Sequence, residues 1–431
     1  MNERITRRRF QAGLMAAGAL AATRGTVFAR LGANERIRVG VIGCRTRGWQ
    51  DAGDFQGTGH FDIVTFCDPD EAMIAEGLNA LAKQPERKRL PHAPTQEKDY
   101  RRVLEDKDID AVIVAAPDHW HAIMALEALA AGKHVFLEKP ASYCINEGKA
   151  MVAAQAKYPK LTICVGTQQR SGQHFKDARA FIAEGGLGKI GFARAYMIHD
   201  RGILPIVPDT DPPATMDYNL WLGPAPWRPH NVSRVHYNWH FMRDTGTGDT
   251  GNWGAHWLDS LRHLLDLGLP RSARGHGGRF IVADAKETDD TQTVVFEYPE
   301  LTVLWEMRLW SKTGPHNRGG GVEIAGEKGS LMIDRGGWTF LPKGGKPEQH
   351  GSSDMTGPHV QNFAACIRGE AKPAASIEEG HRSAALCHLV NIVCRIGRGV
   401  DFDPQAETIV NDAEAAALMG RVYRSPWKLP V

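Results

Sequence analysis

The chain has 431 residues, which corresponds to roughly two or three domains of ordinary size and excludes a single small module. Hydrophobic residues make up 42% and charged residues 24%, so the chain can bury a core and is not disordered as a whole. The net charge of +2 supplies no broad basic surface for nucleic acid or an anionic membrane. The 7 cysteines form no CxxC pair, and we predict that they are core residues.

The first 29 residues have the pattern of an export signal. Thr6-Arg7-Arg8-Arg9-Phe10 precedes a weakly apolar run, Ala12 to Ala22, that is too short for the roughly 20 residues of a membrane span. With the small-residue pattern Val27-Phe28-Ala29, this arrangement resembles a twin-arginine signal. We predict cleavage near Ala29, export of the folded protein to the periplasm by the twin-arginine machinery, and no stable membrane association. The alternative is a basic, flexible tail.

A glycine-containing turn follows the first predicted strand, Ile37 to Ile42. The turn resembles the dinucleotide fingerprint G-x-G-x-x-G, except that arginine replaces the middle glycine. That arginine either displaces the phosphates slightly or reaches across them with its guanidinium group. The residues of the turn that we predict to bind the cofactor are Gly43, Cys44, Arg45, Arg47 and Gly48.

An acidic residue, Asp68, ends the next predicted strand, Ile63 to Cys67, and lies 20 residues beyond Gly48. At this distance a carboxylate meets the ribose 2′-hydroxyl of NAD and repels the 2′-phosphate of NADP. We therefore predict NAD as the cofactor, with NADP disfavoured. The alternative is that Asp68 only caps a helix or forms a turn.

Alternating strands and helices continue to about residue 165 and predict a six-stranded, doubly wound parallel sheet over residues 36–165. The predicted helices are 101–105, 121–131 and 146–157, and the further strands are 111–116, 134–137 and 161–165. Ligands of such sheets bind at the carboxyl ends of the strands. The polar loops at those ends contain Pro117, His119, His121, Glu138, Lys139 and Gln168.

Several motifs in order resemble the Gfo/Idh/MocA family, which includes glucose-fructose oxidoreductase and inositol dehydrogenase. They are the fingerprint, Asp68, Pro117-Asp118-His119-Trp120-His121, Glu138-Lys139-Pro140, Gly166-Thr167-Gln168-Gln169, Leu220-Trp221-Leu222-Gly223-Pro224 and the segment from Gly248 to His256. With the signal, they resemble an exported branch that acts on sugars and glycosides. The resemblance implies that the loops containing Pro117, His119, His121, Glu138 and Gln168 contact the cofactor.

The resemblance also implies a C-terminal α/β domain, residues 166–431, with an open, mainly antiparallel sheet that mediates homo-oligomerisation. Six segments rich in β-branched and aromatic residues agree with such a sheet. They are 190–198, 279–283, 292–298, 302–310, 322–325 and 330–333. A capping box at Ser376 predicts a helix of about five turns through Arg395, which we expect to pack back on the sheet or the first domain.

Two residues are candidates for proton chemistry at the substrate hydroxyl. His256 matches the family's catalytic histidine, and Lys139 matches the lysine that orients the hydroxyl and stabilises the developing alkoxide. Asn252 stands where many relatives have aspartate, so His256 has no carboxylate to orient it unless Asp249 or Asp259 supplies one. We predict Lys139, His256, Asn252 and Asp249 as catalytic residues. The alternative for His256 is a buried histidine at the start of a helix.

A segment of aromatic rings with polar tips, His236 to Phe241, has the composition of a sugar site. The alternative is a strand at an interface. The predicted substrate-binding residues are Lys139, Tyr237, Trp239, His240, Asn252 and His256. We predict no metal site, because no spacing joins His119 and His121 to the histidines of this segment.

These residues predict a NAD-dependent oxidoreductase that transfers a hydride between a carbohydrate hydroxyl and nicotinamide. Since the periplasm maintains no pool of free NAD, we expect the cofactor to be tightly bound and regenerated in place. The first alternative is a NAD-dependent glycoside hydrolase that works by transient oxidation at C3, elimination and reduction. The second is a non-catalytic sugar- or dinucleotide-binding protein.

Overall fold

The computed structural model of the protein describes residues 35–430, so the predicted signal at residues 1–29 lies outside the described residues. Six parallel strands form the first sheet, in the order β3-β2-β1-β4-β5-β6. This order is that of the doubly wound fold that the sequence predicts. The strands are β1 (Ile37–Ile42), β2 (Phe61–Cys67), β3 (Thr95–Glu97), β4 (Ala111–Val114), β5 (His134–Leu137) and β6 (Ile163–Val165).

The helices of this region cover both faces of the sheet, so its central strands are buried. Every residue of β4 is buried, as the continuous apolar run Ala111–Val114 predicts. The helices are α1 (Thr46–Thr58), α2 (Glu71–Ala82), α3 (Tyr100–Glu105), α4 (His121–Ala130) and α5 (Ile145–Lys157). The sequence predicts six strands but locates only five of them, because the sixth, the short edge strand β3, is Thr-Gln-Glu and has no apolar pattern.

Ten strands form the second sheet, in the order β14-β13-β12-β11-β7-β10-β9-β8-β15-β16. Strands β7 and β10 run parallel and the other neighbours pair antiparallel, so the sheet is mainly antiparallel. The strands are β7 (Ile190–Ile198), β8 (Ser272–Gly278), β9 (Thr291–Tyr298), β10 (Leu301–Arg308), β11 (Gly320–Gly326), β12 (Gly329–Asp334), β13 (Gly337–Pro342), β14 (Glu348–Gly351), β15 (Val400–Asp403) and β16 (Thr408–Val410).

The strand predicted at residues 279–283 is wrong. Strand β8 ends at Gly278, and the Phe280 and Ile281 side chains that suggested a strand are exposed in the following loop. The backbone N–H groups of both residues donate to the carboxylate of Asp290 at 3.1 and 2.9 Å. Strand β8 is not predicted because it has no β-branched residue; its sequence is Ser-Ala-Arg-Gly-His-Gly-Gly.

The predicted long helix joins the two sheets. It spans Ile377–Ile396. Ser376 is its N-cap, and the Ser376 hydroxyl accepts a hydrogen bond from the Glu379 N–H at 3.3 Å. It is buried on most sides, which is typical of a helix between two packed layers. The helices of this region are α6 (Gln173–Ala183), α7 (Tyr218–Leu222), α8 (Ala255–Leu265), α9 (Thr356–Ile367), α10 (Ile377–Ile396) and α11 (Ala413–Ala417).

All seven cysteines lie within the described residues, are buried and form no disulfide, which confirms their prediction as core residues. Among residues 35–430, no helix has the length and apolar character that a membrane crossing requires.

Candidate active site

The turn between β1 and α1 has the backbone shape of a phosphate-binding loop. Gly43 has a φ angle of +88°, and its N–H donates to the Cys67 carbonyl oxygen at 2.8 Å. A Cβ atom at Gly48 would lie 1.8 Å from the Gly43 carbonyl oxygen, so the first turn of α1 can approach β1 this closely only with glycine. The start of α1 therefore presents free N–H groups at the carboxyl edge of the sheet.

Asp68 both fixes this turn and faces the cleft. One carboxylate oxygen accepts from the Cys44 N–H at 2.9 Å and the other accepts from the Asp70 N–H at 3.0 Å. Burial raises the pKa of Asp68 to about 6. The alternative of a turn-forming role is therefore compatible with the ribose-binding role, because the carboxylate also lines the cleft beside Gly43.

Two cavities meet at the carboxyl edge of the first sheet and share the residues Gly43, Asp68, Pro117 and Trp221. The larger cavity has a volume of about 250 Å³ and reaches from the turn after β1 to the aromatic segment at residues 236–240 and to Asn252. The smaller, of about 50 Å³, has room for a few water molecules and is lined by apolar side chains on the far side of Asp68. In a dinucleotide fold, these positions correspond to the nicotinamide and adenosine ends of the cofactor.

A segment that we term the strap, Thr215–Trp221, crosses the adenosine end. Its backbone pairs with the residues after β2, through Glu71 N–H to the Thr215 carbonyl at 3.1 Å and Asp217 N–H to the Pro69 carbonyl at 2.8 Å. Its last carbonyl, at Trp221, accepts from the Trp120 indole N–H at 3.0 Å. The strap thus closes the small cavity from the side opposite the sheet.

His119 and His121 hold loops in place, and neither offers a free ring nitrogen to the cofactor. The nitrogens of His119 lie 3.2 and 3.3 Å from the carbonyl oxygens of Thr245 and Trp221. Those of His121 lie 2.7 and 2.8 Å from the carbonyl oxygens of Pro140 and Ala116. Both rings are buried, and burial lowers the pKa of His119 to about 3.

Glu138 and Arg47 bind each other instead of both facing the cleft. Arg47 Nε donates to Glu138 Oε1 at 2.7 Å, and its Nη2 lies 2.6 Å from Asp51 Oδ1. Arg47 still lines the larger cavity, whereas Glu138 lies behind it. Gln168 is also buried outside the cavity lining, with no hydrogen-bond partner for its side-chain oxygen among the described residues.

A continuous polar chain starts at Lys139. Its ammonium group donates to the side-chain oxygen of Asn252 at 2.8 Å and to the Asn252 carbonyl at 3.2 Å. The Asn252 amide group donates in turn to Asp249 Oδ1 at 3.0 Å, and Arg201 Nη2 binds the same oxygen at 2.7 Å. Burial lowers the pKa of Lys139, against the charges of Glu138 and Asp118. Asn252 thus connects the lysine to a carboxylate.

His256 has neither of the carboxylate partners considered in the sequence. Asp249 is bound by Arg201 and Asn252, and Asp259 accepts from Arg170 Nε at 2.9 Å and from the Ser383 hydroxyl at 2.7 Å. His256 lies near the start of α8, is buried, and its Nδ1 has no partner among the described residues. Burial, and then the charges of Arg335 and Lys139, lower its pKa well below 6.5, so the ring is neutral.

The aromatic segment is a 3-10 helix, His236–Phe241, so the alternative of an interface strand is wrong. Tyr237, Trp239 and His240 line the larger cavity. The His240 ring stacks on Trp239 with centroids 3.6 Å apart, and its Nδ1 lies 2.6 Å from the Tyr237 carbonyl oxygen. Since a carbonyl only accepts, Nδ1 carries the proton and Nε2 keeps its lone pair. Burial, then the Lys139 charge, lower the pKa of His240 to about 3.

The structure brings most of the predicted site residues to one cleft. Those that line the larger cavity are Gly43, Arg45, Arg47, Asp68, Pro117, Lys139, Tyr237, Trp239, His240 and Asn252. Those outside that lining are Cys44, Gly48, His119, His121, Glu138, Gln168, Asp249 and His256. Within residues 35–430, no group of three or more His, Cys, Asp or Glu side chains is arranged to hold a metal ion.

Three features of the site are not predicted from the sequence: Arg201, Arg335 and the covering role of the strap. Arg201 follows the end of β7 and binds Asp249, while Arg335 lies in the turn between β12 and β13 with its Cζ 5.0 Å from the centroid of the Trp253 ring. Neither arginine belongs to a motif. Only the strand order of the second sheet could have placed them at the cleft.

Comparison with protein families gives two matches that together span most of the chain. Residues 37–167 match the oxidoreductase family model GFO_IDH_MocA, described as a NAD-binding Rossmann fold. Residues 190–271 and 350–429 match the model for the C-terminal α/β domain of the same oxidoreductase family.

Curated relatives match over about a fifth to a quarter of the chain. An uncharacterized oxidoreductase, YrbE of Bacillus subtilis, is 40% identical over 90 residues, which cover 21% of this chain and 26% of that protein. The α-N-acetylgalactosaminidase of Shewanella oneidensis is 32% identical over 113 residues, which cover 26% of this chain and 24% of that protein. The chain therefore spans about a quarter of the length of these relatives.

Solved structures share the fold over most of the chain. The WlbA dehydrogenase of Bordetella pertussis, in complex with NADH and UDP-GlcNAcA, superposes with a TM-score of 0.64 at 20% identity, covering 85% of this chain and 99% of that one. A levoglucosan dehydrogenase in complex with NADH and levoglucosan superposes with a TM-score of 0.65 at 17% identity and the same coverage. At such identities the likeness establishes the fold alone.

Proposed function

Because the chain belongs to the Gfo/Idh/MocA oxidoreductase family, we propose that it is a NAD-dependent oxidoreductase acting on a hydroxyl group of a sugar or glycoside. The observation that carries this proposal is the position of Lys139. Its ammonium group lies in the cavity at the carboxyl end of β5 and is held at 2.8 Å by Asn252, beside the turn that fits a dinucleotide. A cation at this position can bind a substrate hydroxyl and stabilise the alkoxide that forms from it.

The residues of the first domain fit NAD. The close approach of Gly48 to Gly43 leaves the helix N-terminus open to a pyrophosphate, and Arg45 lines the cavity where the phosphates would lie. Asp68 would accept the ribose hydroxyls and repel a 2′-phosphate, which favours NAD over NADP. When bound, nicotinamide supplies the hydride acceptor that the protein's own side chains cannot provide.

The proton of the substrate hydroxyl needs an acceptor next to Lys139. His256 and His240 are both neutral imidazoles, and the charge of Lys139 helps to lower the pKa of each. We assign the base to His256, which matches the family's catalytic histidine although it lies outside the lining of the larger cavity, and we assign substrate orientation to Nε2 of His240, which is part of that lining. Asn252 and Asp249 keep the Lys139 ammonium group in place from the other side.

We propose further that the protein is exported through the twin-arginine route and works in the periplasm with a retained cofactor. Support comes from the pattern of residues 1–29 and from the strap, which encloses the adenosine end with backbone hydrogen bonds. A retained cofactor must return to its starting oxidation state before the next turnover. We also propose a homo-oligomer, as in the family that the sequence resembles.

A second candidate is a glycoside hydrolase, which the similarity to the Shewanella oneidensis α-N-acetylgalactosaminidase favours. In this cycle, oxidation at C3 acidifies the C2–H bond, a base removes that proton, and the aglycone leaves by elimination. Water then adds, and the hydride returns to C3. The overall reaction is hydrolysis without net redox change, and both histidines of the site could serve as the base at C2.

One experiment tests the proposed function. The full chain is purified and denatured, and the released nucleotide is identified and counted by mass spectrometry. The undenatured protein is then given sugars and aryl glycosides without added cofactor, while the absorbance of reduced nicotinamide is recorded. We expect near-stoichiometric NAD and its reduction by a sugar, and we expect Lys139→Ala to lower the rate by about 100-fold or more.

The control variant is Lys157→Ala, which removes an exposed lysine at the end of α5. Full activity of Lys139→Ala, or the absence of both bound nucleotide and cofactor-dependent turnover, would contradict the proposal. Aglycone release with solvent deuterium at C2 and no net reduced nicotinamide would favour the hydrolase.

A further inference from the structure

Arg335 stands at the edge of the second sheet that faces the cleft. Strands β7 and β12 both pair antiparallel with β11, so they run in the same direction and end at the same edge. Arg201, just after β7, reaches Asp249 in the site from this edge. Arg335 immediately follows β12 and therefore projects from the same side as Arg201.

The guanidinium group of Arg335 lies over an aromatic ring that is next to the proposed base, His256. Its Cζ is 5.0 Å from the centroid of the Trp253 ring, and that ring is 5.8 Å from the ring of His256. Trp253 directly follows Asn252, which holds Lys139. Arg335 is thus close to the proposed catalytic pair, and its charge helps to lower the pKa of both Lys139 and His256.

Arg335 is half-buried and has no counterion. Within residues 35–430, no carboxylate lies within ion-pair distance of its guanidinium group, and its buried Nε has no hydrogen-bond partner. The nearby carboxylates are already bound, since Arg47 holds Glu138 and Asp51, and Arg201 holds Asp249. Burial, and then the Arg47 charge, lower the pKa of Arg335, and the Glu138 carboxylate offsets this lowering only in part.

An uncompensated cation at this place favours an anionic ligand. Arg45 and the start of α1 are available to the cofactor's pyrophosphate, whereas Arg335 lies over Trp253, beside His256. The anion facing Arg335 therefore belongs to the substrate. A guanidinium group is planar and presents its N–H groups in a fixed fork, which suits the two oxygens of a carboxylate.

We propose that the substrate is a sugar acid or its glycoside, whose carboxylate binds Arg335 while its reacting hydroxyl lies at Lys139. This inference rests on the proposed function, because it names the substrate class of the same site. In this proposal Arg335 contacts the substrate and selects acidic sugars over neutral ones, and it takes no part in the proton transfer.

The test compares matched pairs of ligands that differ only at C6. Dissociation constants are measured by calorimetry on the nucleotide-loaded protein, with the methyl glycosides of glucose, galactose and mannose and with the corresponding methyl glycosiduronates. We expect at least one glycosiduronate to bind about 10-fold or more tightly than its neutral partner, and this preference to shrink as salt is added. Arg335→Gln should reduce the preference by about 10- to 100-fold.

Arg335→Lys keeps the charge but loses the planar fork, so it should retain only part of the preference. The matched control is Lys343→Gln, which removes one exposed positive charge from the end of β13 and should leave the preference unchanged. If Arg335→Gln fails to fold, the wild-type preference, its salt dependence and Arg335→Lys still decide the question.

Equal binding of acids and neutral sugars, or no binding of any acid, would overturn the inference. Oxidation of neutral sugars without a preference for acids would overturn it while leaving the proposed function intact. Tight, Arg335-dependent binding of an acid without any redox change would instead support the inference and contradict the proposed function.

Discussion

The ammonium group of Lys139 donates a hydrogen bond of 2.8 Å to the side-chain oxygen of Asn252, and the amide group of Asn252 donates to Asp249 at 3.0 Å. The Asn252 amide therefore gives the lysine the hydrogen-bond acceptor that an aspartate would give it. The negative charge lies on the next member of this hydrogen-bonded series, Asp249. Because Asn252 adds no charge, Lys139 keeps the low pKa that burial gives it. The lysine ammonium group can thus stabilise an alkoxide that forms beside it.

The first prediction concerns Asn252. Asn252→Ala leaves the Lys139 ammonium group without its side-chain acceptor, so the lysine is no longer fixed toward the substrate. We expect kcat to fall by about 10- to 100-fold with little change in bound NAD, measured by steady-state kinetics and by nucleotide counting. Asn252→Asp should restore part of the rate because it returns an acceptor. Unchanged kcat in Asn252→Ala would show that this contact does not position Lys139.

The second prediction separates the two histidines. If His256 is the base, His256→Ala should lower kcat by about 100- to 10,000-fold, whereas His240→Ala should act mainly on KM. Both imidazoles have lowered pKa values, that of His240 to about 3, so both stay neutral as pH falls through 6.5. A profile of kcat/KM against pH should therefore show no loss of activity near pH 6.5. The opposite ranking of the two variants would transfer the role of base to His240.

The sequence predicts the positions of residues that follow strand ends more reliably than the positions of residues whose partners are distant in the sequence. Lys139 and Asp68 lie at the cleft because the carboxyl ends of parallel strands meet at one edge, a rule that needs only the order of elements. His119 and His121 share that edge, but carbonyl groups of residues such as Trp221 and Thr245 occupy the ring nitrogens of His119. Arg335 was missed because its place depends on the pairing of β12 with β11, which no spacing in the sequence encodes.

The third prediction uses the raised pKa of Asp68. In the nucleotide-free protein this pKa is about 6, against about 3.9 in an unfolded chain. Between these values the folded state binds more protons than the unfolded state, so the free energy of unfolding falls as pH rises from about 4 to 6. Two pKa units correspond to about 3 kcal/mol.

Urea unfolding of wild type and Asp68→Asn across this pH range measures the effect. We expect the difference in stability between the two proteins to change by about 2 to 3 kcal/mol between pH 4 and 6.5 and to be flat above it. Bound NAD should reduce the change, because ribose hydroxyls that donate to the carboxylate stabilise its charged form. A difference that does not vary with pH would contradict the raised pKa.

The fourth prediction concerns cofactor retention by the strap. Trp221→Ala removes a buried ring that lines both cavities but keeps the carbonyl group to which Trp120 donates. We expect NAD to dissociate about 10-fold faster or more, measured by rapid dilution into excess isotopically labelled NAD. The matched control is Trp310→Ala, since Trp310 follows β10, lines neither cavity and is 37% exposed. Equal release rates in both variants would show that the strap does not retain the nucleotide.

The last prediction tests the glycine turn itself. A Cβ atom at Gly48 would lie 1.8 Å from the Gly43 carbonyl oxygen, so Gly48→Ala must push α1 away from β1. Since the first turn of α1 presents the N–H groups that would bind the pyrophosphate, we expect loss of bound NAD with the two sheets still folded. Gly57→Ala, in the same helix, is the control, because its Cβ would meet the Lys88 side chain at 3.2 Å and the Arg87 carbonyl oxygen at 3.9 Å, an ordinary van der Waals distance. Nucleotide counts and circular dichroism distinguish the variants, and full NAD occupancy in Gly48→Ala would place the pyrophosphate elsewhere.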